Sequence, residues 1–156
     1  GTDTIMPVLD CVINAATQVS GNGISLAGNS SMVVRPGKGI RNAWGSGIAT
    51  RYGATVTHDG ADFSGAARNG TTGAVVTVWG GFGSGEGLIS TGSGYYGGQS
   101  AHAAVVGFRA ADASDAVRYG FRATDAAMVD LDGCTAEDVG LEAVRAFNAR
   151  LLPFQC

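Results

Sequence analysis

Gly47-Ile-Ala-Thr-Arg-Tyr-Gly-Ala-Thr-Val-Thr-His-Asp-Gly60 and Gly120-Phe-Arg-Ala-Thr-Asp-Ala-Ala-Met-Val-Asp-Leu-Asp-Gly133 align without a gap. The same start recurs at Gly23, Gly73 and Gly97. Nine and eleven residues after each start come Met32 and Val34, Val56 and His58, Phe82 and Ser84, Val106 and Phe108, Val129 and Leu131. The starts lie about 24 residues apart, a period that marks a stack of similar units. Leu151 and Phe154 hold comparable places in a weaker last copy.

Inside each copy the apolar positions alternate. Val129-Asp130-Leu131-Asp132 reads in, out, in, out, and Ala74 to Val78 and Met32 to Val34 are short β-prone runs. Alternation of this kind is strand patterning. Between the runs lie Gly-Asn-Gly, Pro-Gly-Lys-Gly and Asn-Gly-Thr-Thr-Gly, which are turn chemistry. A coil of two or three such strands cannot bury its apolar face alone, so coils must stack. A helical solenoid would have the same period, but interior glycine costs a helix about 1 kcal/mol each. An antiparallel sandwich would not require equal spacing of the starts. Leu141 to Leu152 stays open between a last coil and an amphipathic capping helix.

Composition agrees. Glycine supplies 26 of 156 residues, against a usual ~7%. Only 15% of residues are charged and the net charge is −3, which argues against a nucleic-acid groove or a membrane-surface helix. No run approaches the ~18 apolar residues that cross a bilayer. High apolar content with low net charge excludes disorder. Cys11, Cys134 and Cys156 form neither a disulfide framework nor a zinc cluster and read as buried free thiols. The chain opens on Gly1 rather than Met, which reads as a piece of a longer polypeptide.

The segment from Gly47 to Ala66, with Phe121 to Cys134 and Leu141 to Leu152, resembles the coils of right-handed parallel β-helix (pectin-lyase-like) bacteriophage tail fibres and tailspikes. The likeness runs from about Gly23 onward and is one of pattern and composition. It implies a homotrimeric shaft or tip on the virion tail, joined to other fibre domains, that binds host cell-surface polysaccharide. Some such proteins also cleave polysaccharide. No catalytic motif of theirs matches here, so no catalytic residue is carried over. The expectation is therefore all-β: a right-handed parallel β-helix (β-solenoid) of about six coils of about 24 residues, ~30 Å tall. Residues 1–22 form a lead-in or cap, 23–140 the coils, and 141–156 the last coil or a cap.

For chemistry, Asp130 and Asp132 come first. Two steps of a strand separate them by about 7 Å, within the ~6.5–9.5 Å of an inverting glycosidase pair. The plainer reading is a solvated outer face. Asp59 shares the phase of Asp132 from three coils away, about 15 Å, too far to act with it. His58 and His102 lack ligand spacing, and His58 falls at an inward phase, as a hydrogen-bonded core residue would. No metal and no cofactor are expected. Gly80-Gly-Phe-Gly-Ser-Gly resembles a calcium nonapeptide until Gly85 stands where the Asp ligand belongs.

The aromatics lead further. Trp44, Trp79 and Tyr95 are framed by glycines or small residues, so neighbouring side chains cannot cover their rings. Exposed rings suit sugar faces. Tyr96 and Tyr119 each precede a start glycine and are expected to stack as a structural ladder. Arg51, Arg109, Arg118, Arg122 and Arg145 read as members of mixed surface pairs with nearby Asp112, Asp115 and Asp125. The functional expectation is a structural module that binds host-surface glycan, more a binder than an enzyme. The alternative is a polysaccharide-degrading tailspike fragment working through Asp130 and Asp132.

Overall fold

A computed structural model describes residues 7–152; Phe154 and Cys156 lie outside the described residues. Among the described residues there are fifteen strands and no helix, wound as a parallel β-solenoid of about six turns with a spacing near 23 residues. The first sheet stacks β1 (Val8–Leu9), β4 (Ser31–Val34), β7 (Thr55–Thr57), β9 (Phe82–Ser84), β11 (Val105–Gly107), β13 (Met128–Asp130) and β15 (Arg150–Leu151). The second stacks β3 (Ile24–Ala27), β6 (Ile48–Arg51), β8 (Gly73–Val78), β10 (Tyr96–Ala101), β12 (Tyr119–Thr124) and β14 (Glu142–Phe147). The third begins with β2 (Val12–Asn14) on β5 (Gly39–Arg41) and continues as single bridges, Asp62 to Ile89 to Asp112 to Thr135.

At one end the lead-in is itself paired, and at the other the open choice between coil and helix falls to coil. β1 and β2 pair in register with β4 and β5, so coil pairing begins before residue 23. Leu141 to Leu152 is strand: β14 and β15 pair with β12 and β13. Its alternation of Val144 against Arg145 places Val144 over Phe121 in the ladder.

The repeated start glycine has a steric cause. It lies where the second sheet begins, under the inward side chain of the third sheet. A Cβ on Gly23 would come within 2.9 Å of Ile40, and one on Gly47 within 2.7 Å of Phe63. At Gly97 and Gly120 it would meet the methyls of Ala113 and Ala136 closer still. The third coil departs from this rule. Ile48 pairs with Val75, and Val75 with Gly98, so the equivalent of Gly47 and Gly97 is Ala74, not Gly73. The inward residues of that coil are therefore Gly83 and Gly85 rather than Phe82 and Ser84. Phe82 points out, 46% exposed.

Two inward glycines leave a gap that neighbours fill. Val34, His58, Gly85, Phe108 and Leu131 occupy one inward column of the first sheet. His58 and Phe108, two coils apart, bring their rings to 6.0 Å across Gly85. A Cβ on Gly85 would collide with the His58 imidazole. Around them pack Phe63, Phe121, Ile48, Leu88 and Leu131, all fully buried. Cys134 is half-buried and its thiol donates to the Phe108 carbonyl at 2.7 Å, whereas Cys11 is exposed, contrary to expectation.

Overpacking of this kind costs about 1–3 kcal/mol. Gly120→Ala is therefore expected to lower the unfolding free energy by that amount, read as a lower urea midpoint at unchanged m, and adding Ala136→Gly should recover part of it. An unchanged midpoint would show that the two sheets do not meet at Gly120.

Candidate functional site

Each passage from the second sheet to the first turns through left-handed backbone. Gly28, Tyr52, Trp79, His102 and Asp125 stand five residues after Gly23, Gly47, Ala74, Gly97 and Gly120. Asn148 stands five after Ala143, which the pairing of Phe121 with Val144 sets opposite Gly120, and all six have φ between 50° and 63°. Left-handed backbone costs a residue with a Cβ roughly 1–2 kcal/mol, and glycine almost nothing. The first coil uses glycine at this corner; the next three carry the bulky Tyr52, Trp79 and His102. Tyr52 and Trp79 stack at 5.1 Å with planes 6° apart, and Trp79 and His102 at 5.5 Å. His102 Nε2 faces Asp125 Oδ2 at 3.7 Å. The rings form one strip along the axis, with Tyr52 57% and Trp79 45% exposed.

Beside the strip lies the outer face of the second sheet. Ala49, Val76, Val78 and Ala101 form a small apolar cluster there. The opposite wall comes from an insertion. Ile48 to Val75 spans 27 residues where Val75 to Gly98 and Gly98 to Phe121 span 23, and the added residues lie before β8, bringing Thr71 and Thr72 over the sheet. The result is a groove of about 270 Å³ with Val76 and Val78 on its floor. Trp79 and His102 line one side, Thr71, Thr72 and Ser46 the other, and Gln99 also lines it.

The expected ligand residues fall in three places. Trp79 is in this groove. Trp44 is not among its lining: Arg68 covers its ring at 5.6 Å, held there by bonds to the carbonyls of Asn42 and Gln18. Tyr95 lies tilted on Tyr96 at 4.2 Å, with Arg118 over it. Tyr96 and Tyr119 stack at 5.4 Å. Burial, then a bond with Tyr95, pushes the Tyr96 phenol up to about 12. In the sequence the kinship of Tyr52 and His102 with Trp79 is hidden, because a start at Gly73 sets the third coil one residue out of phase. From Ala74, the fifth position reads Gly28, Tyr52, Trp79, His102, Asp125.

The carboxylates gather on the first sheet. Asp59, Glu86, Arg109 and Asp130, with Phe82, line a groove of about 420 Å³. Arg109 Nε donates to Asp130 Oδ2 at 2.8 Å, and this bond holds the Asp130 carboxyl below the usual range. Asp132 donates its backbone N–H to Asp130 Oδ1 at 3.2 Å and does not line the groove. Asp130 is thus ionised and engaged, which suits an anion and not a general acid, whose pKa must be raised. Among the described residues no cluster of His, Cys, Asp and Glu could hold a metal ion. Arg109 pairs with Asp130, but Arg118, Arg122 and Arg145 sit on tyrosine rings rather than in mixed pairs, and Asp125 faces His102.

His58 is fully buried, but among the described residues neither ring nitrogen has a hydrogen-bond partner, unlike the bonded core histidine expected. The hydroxyls of Thr50, Thr77 and Ser100, one inward column of the second sheet, are unpartnered too.

Comparison with known protein families, with curated proteins and with solved structures finds no match for this chain.

Burial moves His58 from 6.5 down to about 4, because desolvation disfavours the imidazolium. The unfolded chain then binds the extra proton first. Stability is complete above about pH 6.5 and is lost as pH falls toward 4, by about 3 kcal/mol in all. Urea titrations at pH 7 and pH 4.5 should show this loss, and His58→Leu should remove its share. An equal acid sensitivity in His58→Leu would assign the effect to other groups.

Proposed function

We propose that this solenoid is a structural and glycan-binding module of the tail-fibre or tailspike kind, presented on a virion tail as a homotrimer. Its partner is host cell-surface polysaccharide, met along the Tyr52–Trp79–His102 strip and the groove beside it. The observation that carries the reading is the presence of bulky rings in a left-handed corner where Gly28 shows that glycine serves the fold. Strain at such positions is tolerated where it has a use. Flat rings, Tyr52 and Trp79 within 6° of parallel and His102 tilted 30° from Trp79, offer area beside an apolar floor to the faces of sugar rings at little rotamer cost. The threonine and glutamine walls offer polar partners for hydroxyls. The repeat pattern of the coils is what supports the fibre assignment.

The alternative, a polysaccharide-degrading fragment, has one observation behind it: Asp59, Glu86 and Asp130 share a groove. It requires that Asp130→Asn abolish release of sugar fragments.

Trp79→Gly separates binding from folding, since glycine is at ease at that φ. The urea midpoint should hold, while retention of host polysaccharide on a glycan array falls about ten-fold or more, the scale of a buried aromatic anchor. Unchanged retention would leave a spacer with no ligand on this face. Light scattering should give three chains per particle; a monomer would remove the trimer from the proposal.

A further inference from the structure

We propose that Arg118, Arg122 and Arg145 bind the acidic group of the glycan, so that the ligand is an anionic polysaccharide. This rests on the groove reading above and extends it along the same sheet face.

Arg122 and Arg145 are register partners on β12 and β14. Their backbones are one strand spacing apart, about 4.8 Å. Like charges placed this way repel. Arg118 joins them: all three line one pocket of about 160 Å³ with Tyr96 and Tyr119. Three other arginines find acids, Arg35 with Asp10, Arg41 with Asp62 and Arg109 with Asp130, while Arg51 bonds to the Ser25 hydroxyl and Arg68 to backbone carbonyls. Among the described residues none of these three arginines has a carboxylate within ion-pair distance. Glu142 is the register partner of Tyr119 and forms no such pair either. In a chain of net charge −3 with 13 acidic residues, three cations stand together without an anion.

The tyrosines explain how they are held. Arg118 lies over the rings of Tyr95 and Tyr119 at 5.1 and 5.4 Å, Arg122 over Tyr96 at 5.3 Å, and Arg145 over Tyr119 at 5.2 Å. Cation–π contact fixes each guanidinium without neutralising it. Arg118 donates to the Tyr95 hydroxyl, and Arg145 to that of Tyr119 at 2.5 Å. Each guanidinium has five N–H donors, so most remain free for an incoming oxyanion, which matches their fork.

The position ties this pocket to the groove. Gln99, which lines the groove, is the register partner of Arg122. Arg122 is two coils from the Trp79 coil, about 10 Å along the axis. Val76, Gln99, Arg122 and Arg145 form one register column, so a polysaccharide lying in the groove beside the rings runs its next units over the arginines, whereas the ring strip itself continues onto Asp125. A uronic-type carboxylate and a sugar phosphate share the chemistry required.

The test follows the arginine Nε–H resonances while glucuronate, glucose 1-phosphate or glucose is added at constant ionic strength. Saturable shifts at Arg118, Arg122 and Arg145 with one or both acids, none with glucose, and none at Arg35 or Arg109 are expected. The acid that saturates tells carboxylate from phosphate. Shifts common to all arginines, or none at these three, would overturn the proposal. On the glycan array, Arg122→Gln with Arg145→Gln should weaken acidic glycans about ten-fold or more and spare neutral ones. Loss in Trp79→Gly with an unaffected arginine variant sinks the anionic ligand and keeps the groove. Saturable shifts with an unaffected Trp79→Gly keep the arginine site and sink the groove.

Discussion

Each coil is hydrogen-bonded in register to the one before it, and every other property of the molecule depends on that constraint. Parallel ladders align position with position, so a residue type repeated at one phase becomes a column, inside or out. The glycine column lets the second and third sheets approach. The left-handed corners hold a strip of rings because the ladder sets Tyr52 under Trp79 and Trp79 under His102. Arg122 meets Arg145 for the same reason. Stability of such a stack is a sum of neighbour terms, so an unfavourable corner or a repelling pair is carried by the contacts of adjoining coils.

The core shows how much irregularity the ladder tolerates. In the third coil the inward places of the first sheet fall to Gly83 and Gly85, and the volume is recovered from His58 below and Phe108 above. That repair brings an imidazole into a buried interior with no partner for either nitrogen among the described residues, which is unfavourable for a buried polar group. Three unpartnered hydroxyls, of Thr50, Thr77 and Ser100, face inward from the second sheet. The middle of the stack is therefore less apolar than its alternating pattern implies.

The period and the alternation made the solenoid legible in the sequence, since both are properties of single strands and of their spacing. The phase of the third coil was not. Gly73 looks like every other start, and only the pairing of Ile48 with Val75 shows that the insertion has shifted the phase to Ala74. That one-residue shift hid the kinship of Tyr52, Trp79 and His102, although Trp79 stood out by its glycine neighbours. Trp44 stood out for the same reason, yet Arg68 folds over it from 24 residues away in the chain, a contact no local pattern encodes. The arginines were visible as recurring near strand ends; that they would find tyrosines rather than aspartates depends on which columns adjoin.

Because coils add along one axis at a fixed rise, the axial distance between any two outer features comes in whole steps of about 4.8 Å. The ring strip and the arginine row are thus marks on a ruler. Removing or duplicating one coil would change their separation by one graduation and leave each mark intact, so the length of ligand such a surface matches is quantised by the backbone.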